Sequence, residues 1–298
     1  MTTFIPTPSF TKLPSVVGTT HALFNSKAMM AITMMATALT STASGCIDPE
    51  AADGDIADSV ETGSVAQHFT GGLLQWLFVT QPAQADLGAS STVTPFLNSV
   101  AGSLVVSASS PSGMAGVVTR EDTSTHKNTL YVWPSPGNQL GGGGASVSSV
   151  ANRILPTSID HGTSGSSSEI LGPTTAHRRC FLTGVWNDPT HEAFRSSTDL
   201  VQTIPSGSSW VIKATGNVLA AAGCADVTTV LGQVTWSGAG TVDLGPAGAG
   251  KFCFLTAVGG AFRTNDWNDG VIISVNQLTG HWQMKVSAGK IGTAECDI

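Results

Sequence analysis

The sequence predicts an all-β protein made of tandem, disulfide-stapled units of small β-sandwich or barrel type. Three observations carry that prediction. A stretch of the C-terminal half recurs with its cysteines in matching places. Apolar residues alternate with polar ones at a period of two. Only 11% of the 298 residues are Asp, Glu, Lys or Arg, against about 25% in an average soluble domain. A polar surface built from Ser, Thr, Asn and Gly is typical of exported β-proteins. Glycine (34) and proline (14) stay short of a low-complexity composition. With 13 Lys and Arg and no basic cluster, a nucleic-acid partner is not expected.

The first element, residues 1–45, is read as a signal peptide or leader. Ala28–Leu39 (AMMAITMMATAL) is an apolar run too short for a transmembrane helix, which needs about 20 residues. Lys27 precedes it and the small-residue stretch STASG follows, the layout of an export signal. Ala43-Ser44-Gly45-Cys46 resembles the lipobox of bacterial lipoproteins. That resemblance implies that Cys46 is lipidated and becomes the first mature residue, with Ala43 standing where leucine is commonest. An ordinary signal peptide with a chance cysteine is the alternative. Loss of the leader, which holds two lysines and no acid, takes the formal net charge from −7 to −9. Residues 46–65 then form an acidic tether with six carboxylates between Asp48 and Glu61. Such a run buries too little apolar surface to offset its ordering entropy.

Residues 66–153 are β-rich and of unknown type. Gly71–Thr80, Val93–Ser107, Gly116–Arg120 and Thr129–Trp133 read as strands and Glu121–Asn128 as a polar hairpin loop. The runs Gly141–Gly144 and Asp160–Ser168 read as flexible connectors. No alignment of this region to the following repeats is apparent.

The last two elements are the repeats, residues 154–226 and 227–298. Ile170–Val185 (ILGPTTAHRRCFLTGV) and Asp243–Val258 (DLGPAGAGKFCFLTAV) are identical at nine of sixteen positions. Trp210-Val-Ile-Lys213 answers Trp282-Gln-Met-Lys285, and Cys224 answers Cys296. Four cysteines allow three pairings. The duplication selects Cys180 with Cys224 and Cys253 with Cys296, which requires an oxidising compartment. In Trp210–Ala214 and Trp282–Val286 the alternation keeps its register between repeats, as a half-buried antiparallel strand demands.

Chemistry-bearing motifs are scarce. There is no P-loop, GxGxxG, GxSxG or HExxH. His161-Gly162-Thr163-Ser164-Gly165 resembles a serine-hydrolase segment only superficially, and it lies in a Ser/Gly-rich stretch. The recurring element is Trp186-Asn187-Asp188 and Trp267-Asn268-Asp269, one per repeat. An exposed indole beside an amide and a carboxylate can stack on a sugar ring and take its hydroxyls. The same oxygens could ligate calcium, although no cofactor is otherwise expected. The competing reading is a turn with its tryptophan folded onto the core.

The Cys-Phe-Leu-Thr…Trp…Cys unit, behind a lipobox and acidic tether, resembles uncharacterised secreted or lipid-anchored repeat proteins of myxobacteria-like bacteria. The resemblance covers about 180–298 and the N-terminus, and implies export and a β-repeat. The expectation is therefore an exported, lipid-anchored protein of the outer membrane or cell surface, or one secreted outright. It would bind an extracellular glycan or surface protein without catalysis and meet the membrane only through its lipid. A secreted hydrolase with its site in 66–153, and a purely structural envelope protein, are the rival expectations.

Overall fold

The computed structural model describes residues 63–69, 72–106, 114–148, 151–159, 166–188, 194–216, 218–248 and 250–297. The expected leader, Cys46, nearly all of the acidic tether and the His161–Gly165 segment lie outside them. Among the described residues every regular element is a strand. In chain order these are β1 (Gly63–Phe69), β2 (Gly72–Val79), β3 (Ala83–Ala89), β4 (Val93–Gly102), β5 (Ala115–Asp122), β6 (Lys127–Trp133) and β7 (Leu140–Ser148). Then come β8 (Ala151–Ile159), β9 (Ser166–Pro173), β10 (Arg178–Asn187), β11 (Leu200–Ser206), β12 (Ser209–Thr215) and β13 (Leu219–Asp226). The chain ends with β14 (Val230–Ser237), β15 (Gly240–Pro246), β16 (Phe252–Gly260), β17 (Gly270–Asn276), β18 (His281–Val286) and β19 (Lys290–Asp297).

These strands form three antiparallel sheets. The first is ordered β1-β2-β7-β4-β17-β18-β15, the second β8-β13-β10-β5-β6-β3, and the third β14-β19-β16-β11-β12-β9. Setting β1 aside, each sheet joins three strands of one segment to three strands of another. Residues 72–148 lend β5, β6 and β3 to the sheet of 151–226. That segment lends β11, β12 and β9 to the sheet of 230–297, which in turn lends β17, β18 and β15 back to the first. The exchange is cyclic. The regions 66–153, 154–226 and 227–298 are therefore not separate bodies, and Ala57–Ile298 forms one compact unit.

Each seam between segments is a short run of cross-strand pairs with valine facing valine: Val117 with Val185, Val201 with Val258, and Val271 with Val100. All six are fully buried. Further in, Phe96, Phe181 and Phe254 meet edge to face, with ring centroids 6.0, 5.7 and 5.5 Å apart. They follow from matching sequence: Phe96-Leu97 corresponds in register to Phe181-Leu182 and Phe254-Leu255, and each pair is followed by a bulge. Phe194 and Phe262, also edge to face at 5.4 Å, are joined to Leu104 by backbone hydrogen bonds and form a second buried layer.

The cysteines sit opposite each other on neighbouring strands, Cys180 on β10 with Cys224 on β13 and Cys253 on β16 with Cys296 on β19. They staple strands within a sheet. A closed loop of this length contributes about 4 kcal/mol in the loop-entropy picture. Cystines of this kind form in oxidising compartments, which is consistent with an extracellular location. At the corresponding place of the first segment stand Pro95 and Ser146.

Two expectations are corrected. Gly141–Gly144 is not a connector but part of β7, between β2 and β4. A Cβ on Gly142 would lie 2.5 Å from Val117 Cγ1, and one on Gly143 2.3 Å from Asn98 Oδ1. The glycines allow a close approach of neighbouring side chains that any side chain of their own would block. Ser166–Ser168 likewise belong to β9, paired with Ala214 and its neighbours on β12.

Non-reducing peptide mapping should yield Cys180–Cys224 and Cys253–Cys296 fragments, and a Cys180–Cys253 crosslink would contradict the pairing. Because the segments share sheets, thermal unfolding should show one transition. Phe96→Ala should lower the stability of the whole unit by about 3–5 kcal/mol. A variant that melts only residues 72–148, leaving a second transition unshifted, would refute the interlocking.

Candidate functional site

The residues singled out in the sequence do not form two equivalent sites. Trp186 lies on β10, half-buried on the outer face of the second sheet, opposite Gly116 on one side and Leu219 on the other. Asn187 points inward and is buried, its Nδ2 donating to the Leu104 carbonyl at 3.1 Å. Asp188, partly buried, follows the strand's end. Trp267 instead occupies a turn before β17. Its ring packs on Phe78 at 5.8 Å, and its indole N–H is buried. Asn268 donates its backbone N–H to Asp266 Oδ1 at 2.8 Å, which closes the turn. Asp269 is held by Lys290 at 2.9 Å and by the Thr264 hydroxyl. This second element is a structural turn with its tryptophan folded onto a neighbouring strand. Among the described residues no group of three or more His, Cys, Asp or Glu is placed to hold a metal ion.

Trp186 does belong to a larger feature. On β6, Asn128, Leu130 and Val132 are buried, so Tyr131 and Trp133 face outward, each half-buried. On β5, Val117 and Thr119 are buried and Gly116, Val118 and Arg120 face the same way as the two rings. The register sets Trp133, Gly116 and Trp186 in one row across β6, β5 and β10, and Tyr131, Val118 and Gly184 in the next. Tyr131 and Trp133 stack at 5.2 Å with their planes 13° apart. The Arg120 guanidinium lies 4.6 Å from the Tyr131 centroid and 5.6 Å from that of Trp133. Such a contact restrains the rings through cation–π attraction. Two strand spacings, about 10 Å, separate the backbones of Trp133 and Trp186. A Cβ on Gly116 would come within 2.4 Å of Trp186 Cβ, so the glycine makes room for Trp186 on the neighbouring strand.

The other two sheets carry no such surface. When the registers are matched, the place of Tyr131 is taken by Lys213 and Lys285, that of Trp186 by Gly259 and Ala101, and that of Trp133 by Thr215 and Ser287. Three aromatic substitutions converge on one face of one sheet. Tyr131 is the single tyrosine of the chain. Sequence reasoning identifies Trp186 but misses Tyr131 and Trp133, although their i, i+2 spacing in the strand Thr129–Trp133 is the signal that could have found them.

A second polar group of note is internal. Glu295 on β19 stands opposite Phe254 and pairs with Arg179 of β10 at 2.7 Å, linking the third sheet to the second. Burial, reinforced by nearby Asp297 and only partly offset by Arg179, pushes the Glu295 carboxyl from its usual 4.5 up to about 7. Burial raises Asp297 from 3.8 to about 6, against the Leu231 N–H and Arg179. An acid whose pKa is raised by folding holds its proton more tightly in the folded chain. The folded state therefore binds more protons than the unfolded one between the two values, and stability falls as pH rises. For Glu295 the shift is on the order of 3 kcal/mol. Thermal midpoints should decline from about pH 4 to about pH 7, and Glu295→Gln should flatten that decline. A midpoint that climbs over this window would contradict the assignment.

Comparison with protein-family models, with curated proteins and with solved structures finds no match to this chain.

Proposed function

We propose that this is an exported, lipid-anchored surface protein that binds glycan without catalysis, through the outer face of its second sheet. One observation carries the reading: Tyr131, Trp133 and Trp186 lie together on a solvent-facing surface where the corresponding positions of the other sheets hold lysine, threonine, serine, glycine and alanine. Positions shared by the three sheets serve the fold. A departure that places three half-buried aromatic rings together on one outer face fits contact with a ligand.

The chemistry suits a pyranose. The face of an aromatic ring is electron-rich and attracts the slightly positive C–H groups on the apolar face of a sugar. The stacked Tyr131 and Trp133 hold each other in place, so little ordering entropy is lost on binding. Arg120 and Gln84, which lies across from Tyr131 on β3, supply donors for hydroxyls at the rim. Trp186 offers a second ring about two strand spacings away, which favours an oligosaccharide over a single sugar. Among the described residues the surface is present once. Avidity would then come from many anchored copies at a cell surface rather than from repeats within one copy.

Export and anchoring rest on the apolar run, the lipobox-like Ala43–Cys46 and the acidic tether in the sequence, and the cystines agree with an extracellular site.

A glycan array probed with the full chain should give binding that Trp133→Ala and Tyr131→Ala each weaken at least about tenfold, the ratio made by 1.4 kcal/mol. Trp186→Ala should weaken it similarly, while Trp267→Ala, in the turn, should leave affinity unchanged. Binding that survives Trp133→Ala, or depends on Trp267, would refute the assignment of the face. Retention on immobilised surface proteins in place of any glycan would redirect it to a protein partner.

A further inference from the structure

We propose that β14 is a docking edge, on which the β14 strand of a second copy of this chain pairs antiparallel. This stands apart from the glycan reading and uses none of its residues.

The six outer strands of the three sheets differ in how they are protected. Edge strands present unpaired backbone groups, and proteins blunt them with charge, proline or a covering segment. β15 carries Asp243 and Pro246, β3 carries Asp86, β8 carries Arg153 and Pro156, and β9 carries Glu169 and Pro173. β1 contains the titratable His68 and follows the acidic run that ends at Glu61. β14, with the sequence VLGQVTWS, carries no charge and no proline. No charged residue occurs from Val227 to Val242, in a chain whose formal net charge is −7. Two copies can therefore approach along this strand without like charges meeting.

The strand is also exposed on both sides. Leu231 is 47% and Trp236 39% accessible, and no residue of β14 is fully buried. Among the described residues β14 pairs only with β19. Its counterpart in the first sheet, β2, shows what such an edge takes. There β1 pairs along the whole outer side of β2, antiparallel, through seven residue pairs from Gly63 with Phe78 to Phe69 with Gly72. An antiparallel strand free of acids and lysines completes that edge. In the third sheet the strand of matching place and character is β14, and a second β14 meets the same requirement. Pairing two copies through it generates a two-fold, self-complementary interface and closes, since each copy offers the same edge to the other. It would join two six-stranded sheets into a continuous one.

Sedimentation velocity of the full chain over about a hundredfold range of concentration should show a reversible monomer–dimer equilibrium. Leu231→Lys sets a charge opposite the apolar Trp236 of the second copy and should raise the dimer dissociation constant at least about tenfold. Thr235→Lys, nearer the middle of the strand, should act in the same direction, with circular dichroism and melting midpoint confirming that both variants fold. Ile170→Lys, at an apolar side chain 69% accessible on the opposite edge β9, should leave the equilibrium unchanged. A wild-type chain that stays monomeric throughout overturns the proposal. So does a dimer indifferent to both β14 variants, or one disrupted by Ile170→Lys instead.

Discussion

The edge-to-face cluster of Phe96, Phe181 and Phe254 is the contact on which the rest of the structure depends. Each ring comes from a different segment of the chain, on β4, β10 or β16, and those three strands pack against one another at the centre. A segment alone could not bury its own phenylalanine, because the strands that shield it arrive from a neighbour. The exchange of β5-β6-β3, β11-β12-β9 and β17-β18-β15 supplies that shielding in turn. The cost is topological. Each seam pairs residues far apart in sequence, such as Val100 with Val271, and such contacts are slow to form because loop closure precedes any gain from packing. The two cystines act on the local side of this problem. Each clamps adjacent strands of one segment and narrows the unfolded ensemble before the distant seams close.

The same logic explains why the first segment manages without a cystine. Where the others have paired sulfurs it has Pro95 opposite Ser146. Its β2-β7-β4 half-sheet is covered by the additional strand β1 and buries Leu74, Trp76, Leu77 and Val79. The third segment's β14, at the corresponding place, buries no residue fully. A large apolar contribution replaces a covalent one, roughly 25 cal/mol for each Å² of apolar surface removed from water. Trp76 also donates its indole N–H to Ser99 at 3.2 Å, so the ring is held at both its apolar and its polar end.

How much of this was legible in the sequence varies with the kind of signal. The all-β class and the cysteine partners were legible because alternation and duplication are local or recurrent patterns. The exchange of strands was not, since a strand's own period says which face is buried and nothing about which strand lies beside it. The glycine run 141–144 misled for a related reason: its composition is that of a flexible linker, and only neighbours as distant as Trp76, Asn98 and Val117 reveal it as packed backbone. The first segment escaped alignment because its likeness is sparse. Asp86-Leu87-Gly88 answers Asp243-Leu244-Gly245, with the carboxylate accepting the glycine N–H at 2.7 Å in both. Gly88, Gly245 and Gly172 between them have positive φ values of 104°, 87° and 146° that favour glycine. Phe96-Leu97 and Val100 then follow at the places of Phe254-Leu255 and Val258. Between these anchors the residues differ and the spacing shortens by one.

Correspondence among the three sheets also separates structural from functional residues without any relative to compare. At the seams valine recurs six times, and at the centre phenylalanine three times, because every sheet meets the same packing demand. Solvent-facing positions meet no such demand, and most drift among Lys, Thr, Ser, Gln and Gly. At the positions matched among the sheets, Tyr131, Trp133 and Trp186 gather on one sheet, with Gly116 and Gly184 beside them and Arg120 over the stacked pair. The stacked pair contributes about 0.5–1.5 kcal/mol beyond its buried area, and the matched positions of the other two sheets do without it, holding lysine, threonine, serine, glycine and alanine. That clustering is the observation behind the proposed glycan contact. Trp267, in contrast, packs on Phe78 and buries its N–H within the turn before β17. The two Trp-Asn-Asp elements share three letters and no role, because what each tryptophan can do is decided by the strand or turn that carries it.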